Sequence, residues 1–241
     1  MLATLHLPVS WYPGTALHPT RPDTWLHCVS DAQHADAPTD APILPPIPNG
    51  IDLDAFAGRH AKRAFALMLG RICPEKGVHL ALDAAHAAGI PLLIGGEVFP
   101  YEAHQRYFDE EVRPRLDRQR RFLGPVGFAR KRRLLAGARC VLVPSTAPET
   151  SSLVAREALA SGTPVVAFPN GALREAVEHG RTGFLVENVT EMAEAIQACR
   201  QLDPDTCRAV ARERFDARQM IATYLDLYQR LARREPAAIP A

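Results

Sequence analysis

Two glutamates, Glu149 and Glu157, flank the expected start of a helix, and their carboxylates could bind hydroxyl groups. The stretch 141–168 predicts an apolar strand, a loop rich in Ser and Thr, this helix, a turn at Gly162 and a second apolar strand. Each carboxylate offers two acceptor oxygens, which suit the paired hydroxyls of a sugar. Two solvated charges on an amphipathic helix would give the same spacing. The pair alone therefore does not separate a binding site from an ordinary surface.

The start of the same helix is a second candidate binding feature. Its first amides, over about 152–155, have no partner inside the helix and carry the positive end of its dipole, so they suit a phosphate or a hydroxyl-rich ligand. We expect a hydroxyl of Thr150, Ser151 or Ser152 to cap the helix by accepting a hydrogen bond from an amide two or three residues on.

A third candidate is the segment 69–77, which joins a strand end to a helix start. Gly70 lets a ligand approach the backbone, Arg71 offers a planar fork for phosphate oxygens, and Lys76 offers a point charge at the helix start. Two surface cations beside a turn are the plainer interpretation of the same residues.

These candidates need a scaffold, and the chain from Ala64 onward predicts one. Strands are predicted at 64–69, 91–94, 121–123, 141–143, 165–168 and 183–186, and helices at 76–88, 101–116 (kinked or ended early by Pro114), 128–136, about 150–161, 172–179 and 191–202. This alternation predicts a parallel sheet with helices on both faces. Ligands of such sheets bind outside the carboxyl ends of the strands, where the residues after Leu69, Ile94 and Val143 lie.

The two ends of the chain differ from this regular part. Residues 1–63 are rich in Pro, with strands predicted at 2–7 and 25–30 and no helix, and two isolated strands cannot form a domain alone. We therefore expect this segment to be the tail of a larger unit. Residues 215–234 predict an amphipathic helix that packs on the sheet domain, and 235–241 a frayed tail.

Several strings resemble the retaining glycosyltransferases of the GT-B fold, family 4, often called group 1. PETSSLVAREALASGTPVVAF, with seven residues between its two glutamates, is similar to the E-x7-E segment of that family. GRICPEKG resembles its G-R-x-x-x-E-K-G segment, Gly95-Gly96 its glycine pair, and GFLV a strand of the same domain. In the first part of the chain, ATLH, LHCVSDAQ and ILPPIPNGIDLDAF resemble strands of the N-terminal domain and the linker that follows it.

The resemblance implies an α/β fold of GT-B type. Residues 56–214 would form one complete Rossmann-like, doubly wound parallel sheet domain that binds a nucleotide sugar. Residues 1–55 would be a remnant of the N-terminal acceptor domain with its linker, and 215–241 a C-terminal helix and tail. That helix would cross back toward the first domain, where Tyr224 and Tyr228 could contact it.

The resemblance also implies an activity. The chain would transfer a sugar from a nucleotide-diphosphate sugar to an acceptor, which could be a small molecule, a glycan or a lipid. UDP is the most frequent donor nucleotide of the family. The transfer would retain the anomeric configuration and would need no metal or cofactor. Its motifs assign catalytic roles to Glu149 on the sugar hydroxyls, to Arg71 and Lys76 on the diphosphate, and to His6 facing the donor sugar. The donor-binding positions are Gly70, Gly95, Gly96, Ser152, Leu153, Val154 and, on the ribose diol, Glu157.

Two departures keep alternatives open. The family more commonly has G-F-G-L after its first glutamate, whereas this chain has Thr150–Leu153, so hydroxyls replace glycines beside the donor and alter which sugar fits. His6 near the chain terminus, without its supporting sheet, would be a mobile side chain.

The incomplete first domain allows a non-catalytic nucleotide-sugar-binding subunit, or a remnant that needs a partner chain to complete that domain. A GT-B sugar-nucleotide epimerase is a third alternative, and the E-x7-E string argues against it.

Composition limits the classes of partner and the cellular compartments that the chain suits. A formal net charge of +1 gives no default case for nucleic acid, and the five cysteines form no C-x-x-C pair, which is typical of reduced thiols without disulfides or zinc. No apolar run approaches the roughly 20 residues that span a bilayer, and the N-terminus lacks a secretory pattern. These features predict a cytoplasmic protein.

Two basic runs, 113–121 and 130–133, remain. An anionic membrane surface or a nucleic acid is one interpretation, and the solvated faces of two helices is the favoured one. No interleaved aromatic residues support stacking on nucleic-acid bases. Because the family includes enzymes that act on lipid acceptors, weak membrane docking stays an alternative.

Overall fold

The computed structural model describes residues 1–233, and a six-stranded parallel sheet is its main element. The strands are β4 (Ala66–Leu69), β5 (Leu92–Gly95), β6 (Arg120–Phe122), β7 (Cys140–Val143), β8 (Val165–Ala167) and β9 (Gly183–Leu185). They lie in the order β6-β5-β4-β7-β8-β9. The order therefore reverses between β4 and β7, which is the pattern of a doubly wound sheet.

Helices cover both faces of this sheet. They are α3 (Val78–Ala87), α4 (Glu102–Tyr107), α5 (Phe128–Gly137), α6 (Leu153–Ala160), α7 (Leu173–Ala176), α8 (Val189–Ala198) and α9 (Pro204–Arg214). On one face α3 and α8 bury side chains such as Leu82 and Met192. On the other, α5, α6 and α9 bury side chains such as Leu135, Leu159 and Cys207. Strands β4, β5, β7 and β8 are short apolar runs because both of their faces are largely buried. The edge strand β6 differs, since it contains Arg120 and Arg121.

A smaller parallel sheet precedes the large one. It holds β1 (Leu2–Thr4), β2 (Trp25–His27) and β3 (Ile43–Leu44) in that order, with the short helices α1 (Gly14–Leu17) and α2 (Asp31–Ala35). The prediction that this segment has no helix and only two isolated strands is wrong. Helices of four and five residues give too short a periodic pattern to recognise. The third strand lies in the Pro-rich stretch, and a small core of Leu5, Val9, Leu17 and Cys28 supports the sheet.

Two helical predictions in the large sheet domain need correction, and one helix there was missed. The stretch predicted at 101–116 is α4 followed by a π-helical turn (Phe108–Val112) and a 3-10 turn (Arg113–Arg115) around Pro114. Helix α7 is half as long as predicted because Glu178 and Thr182 form a turn instead. Helix α9 was not predicted, although Asp203 caps it before a proline.

The last helix, α10 (Ala217–Ala232), reaches the small sheet. The Tyr224 ring packs edge-on against His27 with centroids 5.3 Å apart, and its hydroxyl lies 3.4 Å from Thr4 Oγ1. Tyr228 is half exposed and contacts Tyr224. Leu227 is the one buried side chain of this helix, so less of it packs on a core than its amphipathic pattern predicted. Residue 234 of the predicted helix and the tail predicted at 235–241 lie outside the described residues.

No helix within residues 1–233 has both the length and the apolar character needed to cross a bilayer.

Candidate functional site

A cleft of about 310 Å³ opens at the carboxyl ends of β4 and β7. Met68 and Leu69 of β4 and Leu142 and Val143 of β7 form part of its wall. The strand order reverses between these two strands, and open α/β sheets bind their ligands in the crevice at such a point. The topology thus places the cleft where the sequence predicted a ligand.

A partly buried ion pair connects the two loops that border the cleft. Lys76 Nζ lies 2.5 Å from Glu149 Oε1, and Ser145 Oγ donates to the same oxygen. The Glu149 side chain is 11% exposed, so this pair is partly shielded from water. Glu149 Oε2 has no hydrogen-bond partner among the described residues. One carboxylate oxygen is therefore held in place while the other is available.

Backbone contacts set this geometry. Gly77 has a φ of 62°, and a Cβ there would lie 2.2 Å from the carbonyl oxygen of Pro144. Only glycine lets the turn that carries Lys76 come this close to the end of β7. The Thr146 amide also donates to the Glu75 carbonyl at 2.9 Å. The two candidate loops are thereby joined.

Helix α6 begins at the cleft without a side-chain cap. Ser152 has φ 45° and ψ 69°, a left-handed conformation, and accepts no capping hydrogen bond. Thr150 Oγ1 instead donates to the His6 carbonyl at 3.0 Å, and Ser151 Oγ is buried with no partner among residues 1–233. The prediction that one of these hydroxyls caps the helix is wrong, because Thr150 donates to the small sheet segment and neither serine hydroxyl accepts from a helix amide.

The open helix start therefore faces the cleft. The amides of Ser152, Leu153 and Val154 make no hydrogen bond within the described residues, and all three residues line the cleft. Unpaired amides at a helix N-terminus attract anions. Backbone strain at Ser152, a buried hydroxyl without a partner and three free amides occur together at this one loop.

Glu157 lies in the second turn of α6 and pairs with Lys131 of α5. Lys131 Nζ is 2.6 Å from Glu157 Oε1, and the two side chains are 25% and 12% exposed. As at Glu149, the second oxygen has no partner in the described part of the chain. The run 130–133 was predicted as a solvated face, and Lys131 is the exception. Its spacing from Phe128 and Leu135 places it on the inward side of α5, a signal that was available in the sequence.

The other predicted site residues fall into two groups. His6 and Gly70 line the cleft, and His6 follows a strand of the small sheet, so the sheet that the plainer interpretation lacked is present. Arg71 is exposed and does not line the cleft. Gly95 and Gly96 do not line it either. A Cβ on Gly96 would lie 1.8 Å from the Gly70 carbonyl oxygen, so this glycine permits close backbone packing.

Asn49 is a cleft residue that the sequence reasoning missed, although it lies in the quoted linker string. Its carbonyl accepts a hydrogen bond from Arg156 of α6. Burial lowers the pKa of Arg156 to about 10, and the guanidinium lies 4.9 Å from the centre of the Phe215 ring. Arg156 thus attaches the linker, and with it the small sheet, to the helix that carries Glu157.

One group of side chains could hold a metal ion. Within residues 1–233, donor atoms of Cys73, Glu75 and His104 lie within 4.8 Å of one another, and His104 Nδ1 is buried without a hydrogen-bond partner. A closed zinc site uses four ligands, so this trio is one short. None of the three lines the cleft.

Comparison with known proteins gives a consistent result. The model of the family Glycosyl transferases group 1 matches residues 63–201. A phosphatidyl-myo-inositol mannosyltransferase of Mycobacterium tuberculosis is 35% identical over 152 residues, 58% of this chain and 39% of the relative. A glycogen synthase of the same species is 34% identical over 192 residues, 75% of this chain and 44% of the relative. The chain therefore spans about two fifths of the length of these curated relatives.

Solved structures show the same architecture. AviGT4, a glycosyltransferase involved in avilamycin A biosynthesis, is 29% identical with a TM-score of 0.76, over 96% of this chain and 68% of that one. Anabaena Alr3699/HepE, solved in complex with UDP-glucose, has a TM-score of 0.78 at 23% identity, over 94% of this chain and 72% of that one. The predicted α/β fold of GT-B type, with parallel sheets, is confirmed by these likenesses.

Proposed function

The chain belongs to the glycosyl transferases of group 1, and we propose that its cleft binds a nucleotide-diphosphate sugar for retaining transfer of the sugar to an acceptor. The observation that carries this proposal is the open start of α6 beside two anchored carboxylates. Amides, a cation and the Glu149 carboxylate face one crevice, and Glu157 lies one turn further along α6, outside the lining of the cleft. A nucleotide sugar presents phosphates and hydroxyls together.

The diphosphate would lie against the amides of Ser152, Leu153 and Val154. Lys76 lies at the same cleft, and the ammonium group has three donors, so it can keep Glu149 and also reach a phosphate oxygen. The exposed Arg71, two residues after β4, would turn inward to add a planar fork. These groups would stabilise the charge that develops on the departing diphosphate.

The carboxylates would hold the sugar and the ribose. Glu149, beside Lys76, would accept hydrogen bonds from hydroxyls of the transferred sugar, and Glu157 from the ribose diol. His6 lines the same cleft from the small-sheet side and would face the sugar. Retention needs no protein nucleophile in this scheme, because a phosphate oxygen of the leaving group can take the acceptor proton during attack on the same face. No resident cofactor takes part.

A uridine nucleotide is the first donor to test. Alr3699/HepE, a structural neighbour, was solved with UDP-glucose. We would measure the thermal unfolding of the chain with UDP, TDP, GDP and ADP. A ligand at a hundred times its dissociation constant stabilises by about 2.7 kcal/mol. For a chain of this size that raises the midpoint by roughly 5–10 °C. A rise with one nucleotide would support the donor site, and no rise with any would contradict it.

The role of Glu157 has a matched control. Glu157→Gln should weaken the stabilisation by the preferred nucleotide, because the ribose hydroxyls lose a charged acceptor. Glu194→Gln changes an exposed glutamate of α8 far along the chain and should leave that stabilisation unchanged. An undiminished nucleotide effect in Glu157→Gln would remove the ribose role.

A non-catalytic nucleotide-sugar-binding subunit is the second candidate function. The chain matches about two fifths of its curated relatives, so their whole activity does not extend to it by similarity alone. Incubation with the matching nucleotide sugar separates the two proposals. Release of free nucleotide, by transfer or by hydrolysis, supports the enzyme, whereas tight binding without release supports the subunit.

A further inference from the structure

A second cavity, of about 870 Å³, lies on the large sheet away from the donor cleft. We call it the arginine groove, after five arginines that line it: Arg63, Arg118, Arg121, Arg130 and Arg133. They come from the segment before β4, from β6 and the turn before it, and from α5. Both basic runs of the sequence thus contribute to one surface.

The groove exists because helix α5 covers only part of its face of the sheet. Leu67 of β4 and Leu135 of α5 are buried together in that face, whereas the neighbouring Leu93 of β5 is only partly buried. Leu93 is the register partner of Arg121 on the edge strand β6, so the two share this uncovered face. Half-buried Phe65, Leu93 and Leu134 form an apolar floor between arginines on both sides.

The charge of the groove is not neutralised. None of its five arginines makes an ion pair or a side-chain hydrogen bond in the described part of the chain, and its lining contains no Asp or Glu. Neighbouring arginines behave differently. Arg113, Arg115 and Arg120 each bind a carboxylate near them in sequence. A protein with a net charge of only +1 therefore concentrates unpaired positive charge on this surface.

We propose that the arginine groove docks the chain on a surface of acidic phospholipid. Guanidinium groups bind phosphates, while their aliphatic stems and the apolar floor suit the less polar layer below the headgroups. Phe65 and His60 are the aromatic rings that line the groove, and two rings are too few for a stacking platform that follows single-stranded nucleic acid.

This surface is separate from the donor cleft. The groove adjoins the amino ends of β4, β5 and β6, and the cleft lies at the carboxyl ends of β4 and β7. Docking would leave the cleft open, and the inference does not depend on the proposed transferase activity.

Co-sedimentation of the full chain with vesicles tests the proposal. The chain should bind vesicles that contain phosphatidylglycerol, should not bind phosphatidylcholine alone, and should be released at 1 M salt, where the Debye length falls from about 10 Å to about 3 Å. Each basic side chain near an anionic surface contributes about fivefold to partitioning, so Arg121→Gln/Arg130→Gln/Arg133→Gln should lose roughly a hundredfold.

A matched control variant separates binding through the groove from the effect of lowering the net charge of the chain. Arg21→Gln/Arg200→Gln/Arg212→Gln removes three exposed arginines elsewhere and should partition like the parent. The groove variant should unfold cooperatively with a midpoint near that of the parent in the absence of any ligand, which shows that it is folded. Equal binding to neutral vesicles, or equal loss in both triple variants, would overturn the proposal. So would binding of a single-stranded oligonucleotide by a chain that ignores anionic vesicles.

Discussion

Ser152 makes a stability prediction that follows from one backbone angle. Its φ of 45° is left-handed, a region that residues with a Cβ rarely adopt. The Ser152 side chain makes no hydrogen bond within residues 1–233, so nothing in its hydroxyl offsets the strain. The related family more commonly has glycine at this position of the loop, and the backbone angle gives a physical reason. Replacing Ser152 with Gly should therefore stabilise the protein.

The size of the effect is a difference of two opposing contributions. A left-handed conformation costs an ordinary residue about 1–2 kcal/mol, and glycine is spared this cost. Glycine in turn increases the entropy of the unfolded chain, which costs about 0.4–1 kcal/mol. The middle of each range gives a net gain of about 0.8 kcal/mol. At roughly 2–4 °C per kcal/mol for a chain of this length, the unfolding midpoint should rise by about 2–3 °C.

Thermal unfolding without a ligand measures this effect, with Ser152→Ala as the matched control. Alanine removes the hydroxyl but keeps the Cβ, so its midpoint should stay near that of the parent or fall slightly. If Ser152→Gly does not raise the midpoint, or if both variants shift alike, the left-handed turn is not the resting conformation of this loop. The interpretation of an open, strained helix start would then fail with it.

Two further predictions concern residues outside this loop. Gly96→Ala should destabilise the protein by about 3 kcal/mol and so lower its unfolding midpoint, because the new Cβ would lie 1.8 Å from the Gly70 carbonyl oxygen. Gly127→Ala, at a glycine with open space beside it and an ordinary φ, should be nearly neutral in the same melt. Burial lowers the pKa of Lys62 from 10.5 to about 8, so the unfolded chain binds more protons between these values and stability should rise with pH there. Lys62→Met removes this titration together with the hydrogen bonds that Lys62 donates to Ala136, Ser161 and Thr163. The stability of Lys62→Met relative to the parent should therefore fall by on the order of 2 kcal/mol between pH 7 and pH 10, and a difference that does not change with pH would contradict the buried charge.

The sequence predicted the large sheet because its strands are short apolar runs between helices. Buried parallel strands need apolar side chains on both faces, and Leu67 and Val141 show the result. The rule that ligands bind at the carboxyl ends then located the cleft beside Leu69 and Val143 without any knowledge of strand order. The order itself, with its reversal between β4 and β7, was seen only in the structure.

Other features depend on packing that a local pattern does not encode. Helix α7 ends early because of the turn between Glu178 and Thr182. Lys131 and Arg130 are adjacent cations in one run, yet one pairs with Glu157 and the other lines the arginine groove. The groove itself depends on how much of the sheet face α5 leaves uncovered. Helix α9 is different, since the capping Asp203 and the proline after it were visible in the sequence.

The two lysine–glutamate pairs have a consequence for donor binding. Breaking a largely buried ion pair is costly, because it leaves an uncompensated charge. Neither pair has to break here. Lys76 and Lys131 each engage one carboxylate oxygen, and the second oxygen of Glu149 and of Glu157 has no partner among the described residues. In the proposed donor complex, sugar hydroxyls would bind to oxygens that are already charged and oriented. On this argument Lys131 is a positioning residue for the proposed ribose site, although Arg130 and Arg133 of the same basic run line the arginine groove.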